Sequence, residues 1–448
     1  MQISRRDFLV NSTVAICTPA LAQTGNTTSG WIASRVHPIR TINPTDEDFT
    51  DLEPLGRAID QASVVQLGEP SHGAGSCFAA KARIVRYLHQ RHGFDVLIWE
   101  SGMYDVALAQ AGMRGGDDGV TAAKRGIFTL WSMAAEVKPL FDYIKSTQQG
   151  IFPVEMAGFD LQVTADGSMD QFAGYLRAFM GSLSDASLRD RATGIANAAL
   201  AARESLQSSK FDSQSAFDTL TDAAQKLTDL IENNRSPFAQ THGALELAFA
   251  RRVIGNMQSD AALRREFAKD PVTTAARESM RDSVNAVNLR WLLEERFAGR
   301  KAEERFAGRK AIVWAHDVHV MNAYYDKDFR GVHHNYQQGD MKPTGTFIAD
   351  WLGDAVYTLG MTTFEGEDGF AVGGPAKPIP AAPEDSLELE LHRLGHPYLF
   401  LDAGTLGDER LGALSIRLPK YDSNKVVAPN HVYSGLLFID RMNRATHV

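Results

Sequence analysis

Five side chains of this chain have the types and spacing to do acid–base chemistry together. Glu69 and His72 lie in the turn Gly68-Glu69-Pro70-Ser71-His72-Gly73, just after the apolar run Val64-Val65-Gln66-Leu67. Glu100 closes the run Val96-Leu97-Ile98-Trp99. His316 and His319 form a His-x-x-His after Ala311-Ile312-Val313-Trp314-Ala315. A histidine beside a carboxylate is suited to general-base work, because an unperturbed imidazole titrates at about 6.5, near operating pH. A glutamate at Glu69 or Glu100 would hold the His72 tautomer and stabilise the imidazolium. Lys81, nine residues beyond His72, is a candidate positive charge reaching over the site. Asp160 ends a third apolar run, Pro153 to Phe159, in the way Glu100 ends its own. Lys81 and Asp160 are therefore candidate substrate-binding residues.

Such residues act together only if something brings them together. Short, continuous apolar runs that end on polar turns read as buried strands of a parallel sheet. In such a sheet the ligand site lies outside the carboxyl ends of the strands. Val64 to Leu67 is followed by an amphipathic helix from about 75 to 92, with Phe78, Ile84, Val85 and Leu88 on its apolar side, then a strand from Asp95 to Trp99. A further helix carries Trp131, Val137, Leu140, Phe141 and Ile144 and leads to the strand that ends at Asp160. Strand alternating with helix is the signature of an α/β fold. Additional strands are expected at Ala355 to Gly360, Tyr398 to Asp402 and Tyr433 to Ile439, and a first helix at Asp51 to Ser63.

Residues 168–299 change character. They are rich in Ala, Gln, Ser, Asp and Arg, with apolar residues recurring every three or four positions and one break at Asn233-Asn234-Arg235-Ser236-Pro237. This reads as an insertion of four to six helices capping the sheet. The expected architecture is α/β: a mainly parallel central sheet with flanking helices and a large inserted helical cap. Residues 46–167 and 300–448 would form the catalytic core, 168–299 the cap, and 23–45 a polar leader. Glu294 to Ala302 is repeated at once as Glu303 to Ala311. Nine residues are too few for a solenoid unit, so the repeat reads as a duplication that lengthens a surface connection.

The 448 residues suit one large α/β domain with an insertion, and 44% hydrophobic with 23% charged residues is ordinary for a globular protein. A net charge of −9 and the lack of a basic stripe argue against nucleic-acid binding. The N-terminus reads as a twin-arginine export signal over residues 1–22. Arg5-Arg6 precedes a modest apolar stretch, and Ala20-Leu21-Ala22 is a small-x-small cleavage site. Cleavage removes Arg5, Arg6 and Asp7, leaving the mature chain one unit more negative. No later segment has the apolar length to span a bilayer. The expectations are a periplasmic or secreted protein, contact with the export machinery, and no membrane association after cleavage. Of the two cysteines only Cys77 would survive, so no intrachain disulfide is possible; Cys77 reads as a small buried residue.

The glutamate–histidine turn, Gly93-Phe94 with Glu100, Gly158-Phe159-Asp160 and Trp314-Ala315-His316-Asp317-Val318-His319 resemble, in order and separation, the erythromycin esterase family. Met280, Asp282, Trp291, Gly345 and Leu359-Gly360-Met361 fit its later segments, so the resemblance spans roughly residues 45 to 445. It implies an α/β core with a helical cap, and a hydrolase that opens macrolide lactones with water and without a metal. On this resemblance the essential histidine falls on His72, its acidic partners on Glu69 and Glu100, the later pair on His316 and His319, and a basic helix position on Lys81. The export signal departs from cytoplasmic resistance esterases and bears on macrolide specificity.

The reaction expected is direct attack by water, since no Gly-x-Ser-x-Gly elbow is present. His72 would take the proton, Glu69 would orient it, and His316 or His319, paired with Glu100, would donate to the oxyanion of a (macro)lactone or carboxylic ester. No cofactor is required by this reading. An alternative uses the same residues differently: His72, His316 and His319 with Glu100 would bind zinc and activate water for an envelope or polysaccharide substrate. A second alternative is a periplasmic binding or scaffold protein without turnover. His333-His334 reads as a polar loop.

Overall fold

The apolar runs become strands because their side chains are buried on both faces. In the computed structural model, which describes residues 28–59, 61–163, 168–208, 214–269, 275–298, 309–322, 342–405, 414–417, 421, 423–425 and 432–448, the main sheet contains β1 (Val36–Pro38), β2 (Val64–Leu67), β3 (Phe94–Gly102), β4 (Glu155–Asp160), β5 (Lys310–Trp314), β6 (Val356–Asp368), β7 (Lys377–Ile379), β8 (Tyr398–Asp402) and β11 (Gly435–Met442). A separate antiparallel pair is formed by β9 (Ser415–Arg417) and β10 (Ser423–Lys425).

The strand order is β1-β8-β11-β6-β2-β5-β3-β4, with β7 pairing β6. The run β11-β6-β2-β5-β3-β4 is parallel throughout. β8 is antiparallel to both of its neighbours, β1 and β11. The mixed α/β fold with a mainly parallel sheet is therefore as expected. Four adjacent strands, β2, β5, β3 and β4, are in register across Leu67, Trp314, Trp99 and Gly158. Everything that follows those residues emerges on one edge of the sheet.

Alternate strand residues feed two cores. Val65, Leu67, Leu97, Trp99, Ile312 and Trp314 face the helices Gly75–His92 and Lys138–Thr147. Val64, Val96, Ile98, Ala311 and Val313 face the helices between β4 and β5. Those helices number six among the described residues: Ser168–Gly181, Ala186–Ser208, Gln214–Asn233, Arg235–His242, Ala244–Lys269 and Ala275–Trp291. They cover one face of the sheet. Leu227, Ile254 and Leu289 belong to the same cluster as the strand residues, so the insertion is one of the two layers that bury the sheet.

Other expectations change in detail. The stretch 23–45 is not merely a polar leader: Thr28–Ala33 is helical, Ile32 is fully buried, and Val36–Pro38 adds the edge strand β1. The helix expected around Trp131 is two, Thr129–Ser132 and Lys138–Thr147. Ala134, between them, bridges His447, and Pro139 starts the second. The helix expected at Asp51 to Ser63 is a 3-10 turn, Thr50–Leu52, followed by the short helix Glu53–Ala58. β3 does not stop at Trp99. It runs to Gly102 with a register shift after Trp99, and such irregularities re-aim side chains. No helix among the described residues is long and apolar enough to cross a membrane. The twin-arginine segment, His333-His334 and residues 299–308 of the tandem repeat lie outside the described residues.

Candidate active site

Glu69 is the fixed point of the site. It is fully buried, and three donors surround its carboxylate. Lys81 Nζ contacts Oε2, while Trp131 Nε1–H donates to Oε1 at 3.2 Å and His72 Nδ1 lies 3.1 Å from Oε1. The turn that presents these residues needs glycine for space. A Cβ on Gly68 would collide with the Asp317 carboxylate, and one on Gly73 with Asp368 and the Gly369 backbone. Neither glycine has a positive φ. Ser71 Oγ donates to Asp368 Oδ2 at 2.9 Å, tying the turn to the overhanging end of β6.

Lys81 was expected over the site as a substrate-binding charge. It is fully buried instead, bonded to Glu69 and to the Ala315 carbonyl at 3.1 Å, and lies 4.5 Å from the centre of the Trp314 ring. Burial pulls its ammonium below the ordinary lysine value against the opposing pull of Glu69. The geometry gives it the place of a residue that holds Glu69. The physical reason is that a buried carboxylate demands a buried counter-charge.

Glu100 organises the second half. Its Oε2 accepts the His316 backbone N–H at 2.8 Å. Its Oε1 lies 3.1 Å from Arg281 Nη2 and 3.1 Å from His319 Nε2. His319 Nδ1 lies 2.8 Å from Asp282 Oδ1, which also accepts the Thr344 hydroxyl at 2.6 Å. Burial alone would lower His319, but the two carboxylates outweigh it and hold the imidazole well above its ordinary value. Burial alone would raise Glu100, but His319, His72 and Arg281 hold it well below the usual carboxylate range. Asp160, also expected to bind substrate, is 1% exposed and pairs with Arg281. It positions the guanidinium from beneath, because it emerges from β4 directly under the helix that carries Arg281.

His316 caps the short helix Asp317–Val320. Its Nδ1 accepts the Val318 N–H at 3.1 Å, so a neutral ring carries its proton on Nε2. The His72 and His316 rings meet edge-on, 4.8 Å between centres, and Trp131 packs edge-on to His72 at 5.2 Å. Asp317 is buried against Glu69, and both burial and that charge push its carboxyl well up. His72, with 23% of its side chain exposed, and Arg281, with 17%, are the parts of this cluster that most reach solvent.

All five candidate catalytic residues thus converge. Arg281 was not anticipated by the sequence, and Asp282 and Trp131 were noticed only as a landmark and as an apolar helix residue. A signal existed: Asp282, Asn285 and Asn288 place buried polar groups at helical spacing where a core helix would be apolar. In all three histidines proposed for zinc, His72, His316 and His319, it is Nδ1 that meets a carboxylate or a backbone N–H, and Arg281 Nη1 stands 3.1 Å from His319 Nε2. Among the described residues no group of three or more His, Cys, Asp or Glu side chains is arranged to hold a metal ion.

Comparison with known proteins bears on this arrangement. YbfO of Bacillus subtilis (strain 168), whose name assigns it provisionally to the hydrolases, is 25% identical over 401 residues, 83% of this chain and 80% of its own length. The crystal structure of a Bacillus cereus protein superposes with a TM-score of 0.73 at 19% identity, covering 94% of this chain and 98% of that one. A histidine-to-asparagine mutant of the erythromycin esterase EreC, in its open conformation, superposes with a TM-score of 0.68 at 16% identity, covering 92% and 98%. These two likenesses establish the shared fold. A sequence model of the erythromycin esterase family matches residues 89–429. With that match over most of its length, the chain belongs to the erythromycin esterase family, whose members are hydrolases.

Proposed function

We propose that the protein hydrolyses a carboxylic ester or lactone by direct attack of water activated by His72. The observation that carries this reading is the opposed pair of imidazoles. The Glu69 carboxylate beside His72 Nδ1 favours the neutral tautomer with its proton on Nδ1, whose Nε2 lone pair is the base. The Val318 N–H fixes His316 as an Nε2–H donor. Nε2 of His72 takes a proton from water as the water oxygen bonds to the carbonyl carbon. His316 Nε2–H meets the oxyanion, with Arg281, held on the same Glu100 carboxylate that accepts the His316 backbone N–H, as a second donor. The tetrahedral adduct then collapses, the C–O bond to the alcohol breaks, and the departing oxygen takes the proton back from His72. Well-placed oxyanion donors contribute about 3–4 kcal/mol each in other hydrolases. His319, buried between Glu100 and Asp282, holds the second half in place and does not touch substrate.

The substrate class is a lactone or ester, with macrolides the first to test. The assay is turnover of a macrolide panel and of aryl esters with and without a chelator. Chelator-resistant turnover lost in His72→Asn, with the Tm kept, is the expected result. Chelator-sensitive turnover restored by zinc would replace this mechanism, and ligand binding without any turnover would replace the hydrolase reading. We also propose export through the twin-arginine machinery on the strength of Arg5-Arg6 and Ala20-Leu21-Ala22. A mature N-terminus at Gln23 in the periplasm or medium is expected; cytoplasmic retention of the full chain would refute it.

A further inference from the structure

The helix Ala275–Trp291 has a second face that the active site does not use. Arg281 and Asp282 point to the site, whereas Ser283, Val287 and Asn288 line a cavity of about 570 Å³ against the helix Ala244–Lys269. That is the size of a small-molecule site. The walls carry little net charge. Arg251 is ion-paired with Glu232, and Arg252 faces Glu295, whose carboxylate also accepts Trp291 Nε1–H at 3.0 Å. An anion or cation therefore gains little here. What remains is a set of amides and hydroxyls, of which Thr228, Ser283 and Asn288 already donate within the protein and offer oxygens as acceptors, interleaved with apolar surface from Val287 and Trp291. Val287 is half exposed, an apolar side chain facing open space. Gly255 borders open space: a Cβ placed there meets nothing within 4 Å.

We propose that this cavity is a second ligand site, on the helical layer, for a neutral polyhydroxylated ring: a glycoside or short oligosaccharide. Such ligands present hydroxyls at their edges and C–H faces above and below, the two surfaces this cavity offers. The polar wall is preorganised. Asn288, 1% exposed, spends both amide hydrogens, on Asn256 Oδ1 at 3.0 Å and on the Phe159 carbonyl at 3.1 Å, which fixes its amide and leaves only its oxygen, as an acceptor.

The test is ligand-observed NMR on the full chain with methyl α-glucoside, methyl β-galactoside, maltose and cellobiose at about 10 mM, a range that detects millimolar affinity. At least one probe should bind wild type and Gly255→Ala. Gly255→Phe fills the open space and should abolish binding while aryl-ester hydrolysis is unchanged. Val287→Arg, from the opposite wall, should do the same and decides the matter if Gly255→Phe fails to fold. Absence of binding by all four probes, or binding that survives a folded wall variant, overturns the proposal.

Discussion

Glu100→Gln is the sharpest test of how the site is held together. Three donors converge on this 4% exposed carboxylate: the His316 backbone N–H on one oxygen, and Arg281 with His319 on the other. An amide of the same shape supplies one acceptor and one donor. In the cheaper orientation its oxygen keeps Arg281 and His319, and its NH2 confronts the His316 N–H. That forfeits one hydrogen bond to a charged group, about 1.5–3 kcal/mol, and leaves a buried donor unmet at about 1–3 kcal/mol. A loss of roughly 3 kcal/mol follows. If it is felt where His316 meets the oxyanion, kcat/KM falls about 100-fold, since about 1.4 kcal/mol is tenfold. The assay is steady-state hydrolysis alongside thermal unfolding. A companion cycle with Asp282→Asn should be non-additive, because both carboxylates act on the same His319. Activity within about threefold of wild type, or additivity within about 0.5 kcal/mol, refutes the shared network.

Other outcomes follow from the same geometry. Lys81→Met should lower kcat about 100-fold or more with KM unchanged, because it strips a buried counter-charge from Glu69 without touching substrate; a rise in KM alone would mean that Lys81 reaches the ligand. His319 is raised above its ordinary 6.5 in the fold, so the stability it contributes is full below 6.5 and lost only as pH rises through its elevated folded value. Glu100 is held well below its ordinary 4.5, so its contribution is present above 4.5 and lost as pH falls through its folded value. The Tm difference between wild type and His319→Gln should therefore persist across neutral pH; a difference that vanishes between about pH 6 and 7.5 would show a neutral imidazole. Deleting Ala445–Val448 removes three backbone bonds, to the Gly73 carbonyl at 2.8 Å, from Ala135 to Thr446 at 2.8 Å, and to the Met133 carbonyl at 3.0 Å. At about 1 kcal/mol each, this should lower Tm by several degrees and reduce kcat, because the tail ties the His72 turn to the Trp131 helix; an unchanged Tm and kcat would refute that.

What the sequence by itself determined about this protein was whatever depends on near neighbours. Val64 to Leu67 and Tyr398 to Asp402 are read to the residue, because a short apolar run between polar turns has few other ways to bury itself. The turn around Glu69 and His72 is legible for the same reason, and in a parallel sheet Glu100, His316 and His319 must share its carboxyl edge. The antiparallel insertion of β8 between β1 and β11 left no such mark, since nothing local records which strand becomes the neighbour. Nor does local pattern say which charge meets which. Lys81 reads as a positive charge reaching over the site, and only the burial of Glu69 beside it makes it an internal counter-ion. Arg281 lies 181 positions from Glu100 and 121 from Asp160, and it joins them because the last helix of the insertion packs across the ends of β3 and β4. Hydrophobic periodicity is written along the chain, whereas the pairing of buried charges is settled by desolvation, which exists only once the layers have closed.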